Sequence, residues 1–159
     1  MVTENPMSSI TVVVADPEKE RRAACLRRLA PEAGIRVVAE ASSAAETLGA
    51  ARFSPRILLV DSSLAQGRGL VLLRLFRRSS PDTRILVLTG QTSRAALLDA
   101  IAHGAHGCLN RRQIRAFLPK AVRKVDSGEP WVSRKMVPQI IEALMRISAS
   151  GPANSLGTA

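Results

Sequence analysis

Ile57-Leu58-Leu59-Val60 is an unbroken aliphatic run of strand length that stops at a carboxylate, Asp61. A run without polar alternation fits a strand covered on both faces, as in a parallel sheet flanked by helices. Ser62-Ser63-Leu64-Ala65-Gln66-Gly67-Arg68-Gly69 follows, with small polar residues and two glycines. In open parallel α/β sheets, ligands gather outside the carboxyl ends of the strands. The run therefore reads as a central strand that delivers Asp61 to an active edge. A turn or helix N-cap is the competing role for an Asp placed after a strand.

The same arrangement recurs along the chain. Residues 10–15 form a second apolar run, which ends at Asp16-Pro17-Glu18. Asp16 suits an N-cap there and Pro17 a first helical position, opening a helix through Leu29. Residues 35–39 read as a strand, and Ser43 with Glu46 is a capping-box signature for a short helix reaching about Ala51. Gly69 to Arg78 reads as a helix stopped by Pro81. Residues 84–89 are a fourth strand ending on Thr89. Thr92 or Ser93 caps a helix that Gly104 stops. Residues 107–109 make a short fifth strand, and a last helix carries Leu118, Ala121, Val122 and Val125. Pro119 limits its start to about Arg115 or Ala116. Strands alternating with helices predict a doubly wound parallel sheet with right-handed crossovers.

Composition narrows the class. The chain has 159 residues, a length suited to one domain with a true core, and 46% are hydrophobic, with three Phe, one Trp and no Tyr. The core must therefore be aliphatic. Cys25 and Cys108 lie in apolar surroundings without CxxC spacing and read as buried, reduced thiols. Residues 1–9 carry no apolar leader segment, and no run approaches membrane-spanning length; the expectation is a cytoplasmic protein. Lys and Arg total 23 against 13 Asp and Glu, a net charge of +10. The cations, Arg21, Arg22, Arg111 and Arg112 among them, are scattered over several elements and read mainly as solvated faces.

Parallel strands align their carboxyl ends, so Asp16, Asp61, Thr89 and the Asn110-Arg111-Arg112 stretch should converge. Two carboxylates at one edge suit a hard divalent cation such as Mg²⁺. A hydroxyl and a cation opposite them suit phosphoryl oxygens. The set resembles the receiver domain of bacterial two-component response regulators, over about residues 10 to 128. The resemblance implies a flavodoxin-like five-stranded (βα)5 sheet. It implies Asp61 as phosphoacceptor from a sensor histidine kinase, Thr89 as switch hydroxyl, and Arg111 in the place of the family's lysine. It also implies Mg²⁺ held by Asp16, Asp61 and the backbone carbonyl of Ser63.

This chain departs from the family in four places. Ala15 stands where a second acid precedes Asp16, so Mg²⁺ should bind weakly. Glu18, on the following helix, is poorly placed to replace that acid. Arg111 keeps the lysine's charge but not its shape. Cys108 takes an aromatic switch position, and Ala65 the position of a proline. A phosphate-independent receiver, acting as an interaction or dimerisation module, is the alternative reading.

Gly128-Glu129-Pro130-Trp131-Val132-Ser133 resembles the interdomain linker of NarL/FixJ (LuxR-type) regulators. The expected layout is a disordered tail over 1–9, a receiver over 10–128, a linker helix over 129–147 and a flexible tail over 148–159. DNA would be reached only through an output helix-turn-helix domain beyond this chain. A stripe of Met136, Ile140, Ile141 and Leu144 suggests a homodimer. An enzyme of the haloacid-dehalogenase type would need an acid two residues after Asp61, where Ser63 stands. No nucleotide-cradling glycine motif is present. His103 and His106 straddle a helix stop with no acid or Cys at ligand spacing, so they read as structural.

Overall fold

The structure, a computed structural model, describes residues 9–90 and 93–157, with side chains described up to residue 149. Five strands form one parallel sheet in the order β2-β1-β3-β4-β5. They are β1 (Ile10–Ala15), β2 (Ile35–Ala41), β3 (Ile57–Asp61), β4 (Arg84–Thr89) and β5 (Gly107–Asn110). The helices are α1 (Lys19–Leu29), α2 (Ala44–Gly49), α3 (Leu70–Ser79), α4 (Arg94–Ala102), α5 (Ile114–Asp126) and α6 (Val137–Gly157). This is the flavodoxin-like strand order, whose topological switch point lies between β1 and β3.

Alternation along the central strands builds two cores. Val12, Val14, Ile57, Leu59, Leu86 and Leu88 pack with Leu29 of α1 and Leu118 and Val122 of α5. Their neighbours Val13, Leu58, Val60, Ile85 and Val87 face the other way, onto Leu73 and Phe76 of α3 and Ala100 of α4. Every residue of β3 is buried. That double coverage is why its sequence shows no polar alternation.

Several local expectations shift. Asp16 does not cap α1; Glu18 occupies the N-cap position, and its amide donates to Asp16 Oδ1 at 2.8 Å. Ser43 caps α2 by accepting from the Glu46 amide, while the Glu46 carboxylate is engaged by the neighbouring Ser42 hydroxyl. Ser93 caps α4; Thr92 lies outside the described residues, as do residues 1–8 of the expected N-terminal tail.

Pro119 sits inside α5, which begins at Ile114. A proline there leaves the carbonyl four residues back without its helical donor. That carbonyl, on Arg115, accepts from Arg28 Nε at 2.7 Å, so a neighbouring helix supplies the missing bond.

The segment after α5 is not the continuous helix expected from residue 129. Gly128 ends α5 with φ +97°, and Trp131 bridges Gly107 at the edge of β5. The Cys108 amide donates to the Trp131 carbonyl at 2.7 Å, and the Trp131 amide to the His106 carbonyl at 3.3 Å. A Cβ on Gly107 would lie 2.7 Å from the Trp131 carbonyl oxygen, so this close approach requires glycine. The helix begins at Val137 and continues to Gly157, beyond the expected boundary at residue 147. The helix runs through Gly151 and Pro152, the residues that suggest a tail, with the helix formers Ala149 and Ala153 on either side of them. Among the described residues, no helix is long and apolar enough to cross a membrane.

Candidate phosphoacceptor site

Strand ends bring the candidate residues together. Asp16 follows β1, Asp61 closes β3, Thr89 closes β4, and Arg111 follows β5. Register places Val60 beside Ala15 and Asp61 beside Leu88, so the two acids emerge side by side. Asp16 is 1% exposed and Asp61 4%. Two carboxylates this dry need compensation from charge or strong hydrogen bonds.

Two guanidinium groups supply it. Arg111 Nη2 contacts both Asp16 Oδ2 and Asp61 Oδ1, and its Nε donates to Asp61 Oδ1 at 3.1 Å. Arg21 reaches in from the first turn of α1. Its Nε lies 3.1 Å from Asp16 Oδ2, and its Nη2 lies 3.0 Å from Asp16 Oδ1 and 3.6 Å from Asp61 Oδ2. Glu18 holds the outer edge of Arg21 through Nη1 at 2.6 Å. Each arginine thus spans both carboxylates.

Ser63 pins the remaining oxygen. Its amide donates to Asp61 Oδ2 at 3.1 Å, and its hydroxyl donates to the same atom. Burial pushes the Asp61 carboxyl up, but the hydrogen bonds from Ser63 and Arg111 together outweigh it, holding its pKa below the ordinary carboxylate value. The Asp16 hydrogen bond, opposed by burial, raises the Arg21 pKa further above its already high value. Asp61 and Arg21 are therefore both ionised at neutral pH.

Thr89 is buried on the adjacent strand, and its hydroxyl donates to the Leu109 carbonyl of β5 at 3.4 Å. Asn110 turns the chain after β5, its side chain accepting from the Arg112 amide at 2.9 Å. That turn folds Arg111 back over the strand ends. A cavity of about 380 Å³ runs from Thr89 past Cys108 to Phe117 and Trp131. Phe117 and Trp131 pack with ring centroids 6.1 Å apart.

Ala15, at the position of the expected second acid, is 1% exposed and belongs to an apolar cluster with Ala41 and Ala65. Mg²⁺ prefers six oxygen ligands in octahedral array and needs their lone pairs free. Here all four oxygens of Asp16 and Asp61 already accept from an arginine, Ser63 or the Glu18 amide. Two negative charges face two positive ones. The donor set in this arrangement does not fit Mg²⁺.

Residues 16, 61, 63, 89 and 111 all meet at this edge. Arg21 was the residue missed, because it reads as one more cation on a solvated helix. Its signal was position, since it falls one turn beyond a strand-terminal Asp. The other candidates have structural roles. His106 Nδ1 accepts from the Ile85 amide at 3.0 Å, and the His106 amide donates to the Ile85 carbonyl at 2.7 Å. Burial first, then Arg77 and Arg84, lower its pKa. Cys25 and Cys108 are free thiols that burial pushes to about 11 and about 12, leaving little thiolate at neutral pH.

Comparison with known proteins places this edge in context. The family model for the response regulator receiver domain matches residues 12–123. The chain is 31% identical over 138 residues to the DNA-binding transcriptional activator DevR/DosR of Mycobacterium tuberculosis, covering 85% of this chain and 63% of that protein. It is 28% identical over 148 residues to the response regulator GacA of Pseudomonas protegens, covering 92% and 70%. A two-component response regulator of the LuxR family from Aurantimonas sp. superposes with a TM-score of 0.74 at 27% identity, over 87% of this chain and 99% of that one. The receiver domain of a NarL regulator from Mycobacterium tuberculosis superposes at 0.71 with 26% identity, over 77% and 99%.

Proposed function

The chain belongs to the response regulator receiver domains of the NarL/FixJ type, and from that premise we propose that it receives a phosphoryl group on Asp61. The observation that carries this reading is the position of Asp61. It is a buried, ionised carboxylate at the end of the central strand, beside the topological switch point, with a hydroxyl on the next strand and a cation across it.

An Asp61 oxygen attacks the phosphorus of a sensor kinase's phosphohistidine. The P–N bond breaks, its electron pair returns to the imidazole nitrogen, and an acyl phosphate forms. To be attacked through, Asp61 must release a guanidinium contact, and the same guanidinium then meets the incoming phosphoryl oxygens. Arg111 suits this exchange, because its fork can move from carboxylate to phosphoryl oxygen without losing charge. Thr89 then turns from the Leu109 carbonyl towards the phosphoryl group. That movement opens one side of the cavity that Trp131 lines.

The receiver, over residues 10–128, passes its state to the segment from residue 129 onward. DevR/DosR is a DNA-binding activator, and this chain spans 63% of its length. A DNA-binding output on a longer protein is the corresponding proposal here, with a homodimer joined through α6 as its signalling form. A phosphate-independent receiver is favoured by one observation, that Arg21, Arg111 and Ser63 already engage both oxygens of Asp61. Intact-mass analysis after incubation with a small phosphodonor separates the two readings. One phosphoryl adduct on wild type and none on Asp61→Asn supports phosphotransfer; an unmodified wild type supports the phosphate-independent module.

A further inference from the structure

We propose that Arg21 and Arg111 together replace the divalent cation of this site, and that Arg21 is the residue that excludes Mg²⁺. The inference rests on reading Asp16 and Asp61 as the receiver's acidic pair, but not on Asp61 being phosphorylated.

A metal held by both acids must take one lone pair from each. The oxygens that face one another across the gap are already bridged twice, by Arg111 Nη2 on one side and by Arg21 Nη2 on the other. Arg111 stands where the family has a cation of its own. Arg21 adds a second guanidinium, and with it each of the two buried acids faces a positive charge. A dication entering this pocket would meet two fixed positive charges within a few ångströms and a partly dry surround, where like-charge repulsion is weakly screened.

Arg21 is also built into place. Glu18 grips Nη1 from outside at 2.6 Å, and the Glu18 amide is itself fixed by Asp16 Oδ1 at 2.8 Å. Arg22, the next residue, ties the same turn down by donating to the Asp16 carbonyl at 2.8 Å. The substitution of Ala15 for an acid fits the same scheme. With Asp16, Asp61 and the exposed Glu18 already on these two arginines, a further carboxylate at position 15 would leave excess negative charge in a buried apolar cluster.

The chemical consequence is a receiver whose phosphoryl-facing charge is permanent. Guanidinium groups can contact phosphoryl oxygens as a metal does, without a bound ion whose occupancy depends on its concentration.

The test is titration of the full chain with MgCl₂ alone, followed by calorimetry and by amide NMR at Asp16, Asp61 and Ser63. Wild type should show no saturable site at millimolar Mg²⁺. Arg21→Ala and Arg21→Gln should each gain affinity by about tenfold or more, because a fixed like charge has gone and lone pairs on Asp16 are freed. Amide positions of β2 and α3 serve as the folding control and should not move. Binding by wild type as tight as by the Arg21 variants overturns the proposal. So does an absence of binding in all three, since Arg21 would then not be what excludes the ion. No phosphodonor enters the experiment, so a site that never accepts a phosphoryl group leaves its outcome unaffected.

Discussion

Asp16, Asp61, Arg21 and Arg111 form a buried ionic cluster, and clusters of that kind depend on every member. Removing one partner strands an opposite charge in a low-dielectric surround, typically at a cost of about 3–5 kcal/mol. Arg111→Met should therefore destabilise the fold by about 3 kcal/mol in urea unfolding, with the loss reduced when Asp61→Asn is added. Acid sensitivity follows from the depressed Asp61 pKa. A carboxyl held low in the fold adds stability above its unfolded pKa and loses it as pH falls through the folded value. Asp61→Asn should flatten that acid limb. His106 works at higher pH with its own sign. Its pKa is lowered in the fold, so the unfolded state binds the proton first, and stability falls as pH drops below about 6.5. His106→Asn keeps an acceptor near the Ile85 amide but cannot titrate, and should lessen the loss of melting temperature between neutral and mildly acid pH. Asp16, Asp61, Thr89 and Arg111 were legible because strand ends in a parallel sheet converge whatever the side chains are. Arg21 was not, since only the packing of α1 on the sheet turns this cation towards Asp16 and leaves its neighbours Lys19 and Glu20 exposed.

The five strands were read to within two residues, because their apolar runs are short, rich in β-branched residues and bounded by turn formers. The helix boundaries moved where tertiary contacts intervened. Pro119 reads as a limit on α5 when only the chain's own hydrogen bonds are counted; Arg28, 87 residues earlier than its acceptor Arg115, removes the limit. Arg28→Met should cost about 1 kcal/mol, the usual worth of a single hydrogen bond. In a Pro119→Ala background the cost should shrink, because the restored amide can reach the Arg115 carbonyl. A double-mutant cycle by chemical denaturation measures that coupling. The Trp131 bridge was equally invisible in a segment rich in turn formers. It depends on Gly107, whose Cβ would meet the Trp131 backbone. Gly107→Ala should shift Trp131 fluorescence towards that of a solvated indole while the far-ultraviolet dichroism of the sheet persists.

At the level of the molecule, α6 is the last helix and carries the largest exposed apolar side chains outside the receiver fold. The apolar stripe expected there divides in the structure. Met136 is buried against the receiver, whereas Ile141, Leu144, Met145 and Ile147 remain between 48% and 67% exposed. A row of that kind on a helix is suited to a second copy of itself. Sedimentation should show a dimer that Leu144→Glu weakens; a strict monomer at high concentration would remove the proposed signalling form. The central claim is chemical, however, and one measurement addresses it at the atom concerned. The chain is incubated with a small phosphodonor, reduced with borohydride, which converts an aspartyl phosphate to homoserine, and then mapped by peptide mass spectrometry. The account predicts homoserine at position 61 and nowhere else, and its loss in Asp61→Asn. An intact Asp61, or homoserine at any other aspartate, would contradict it.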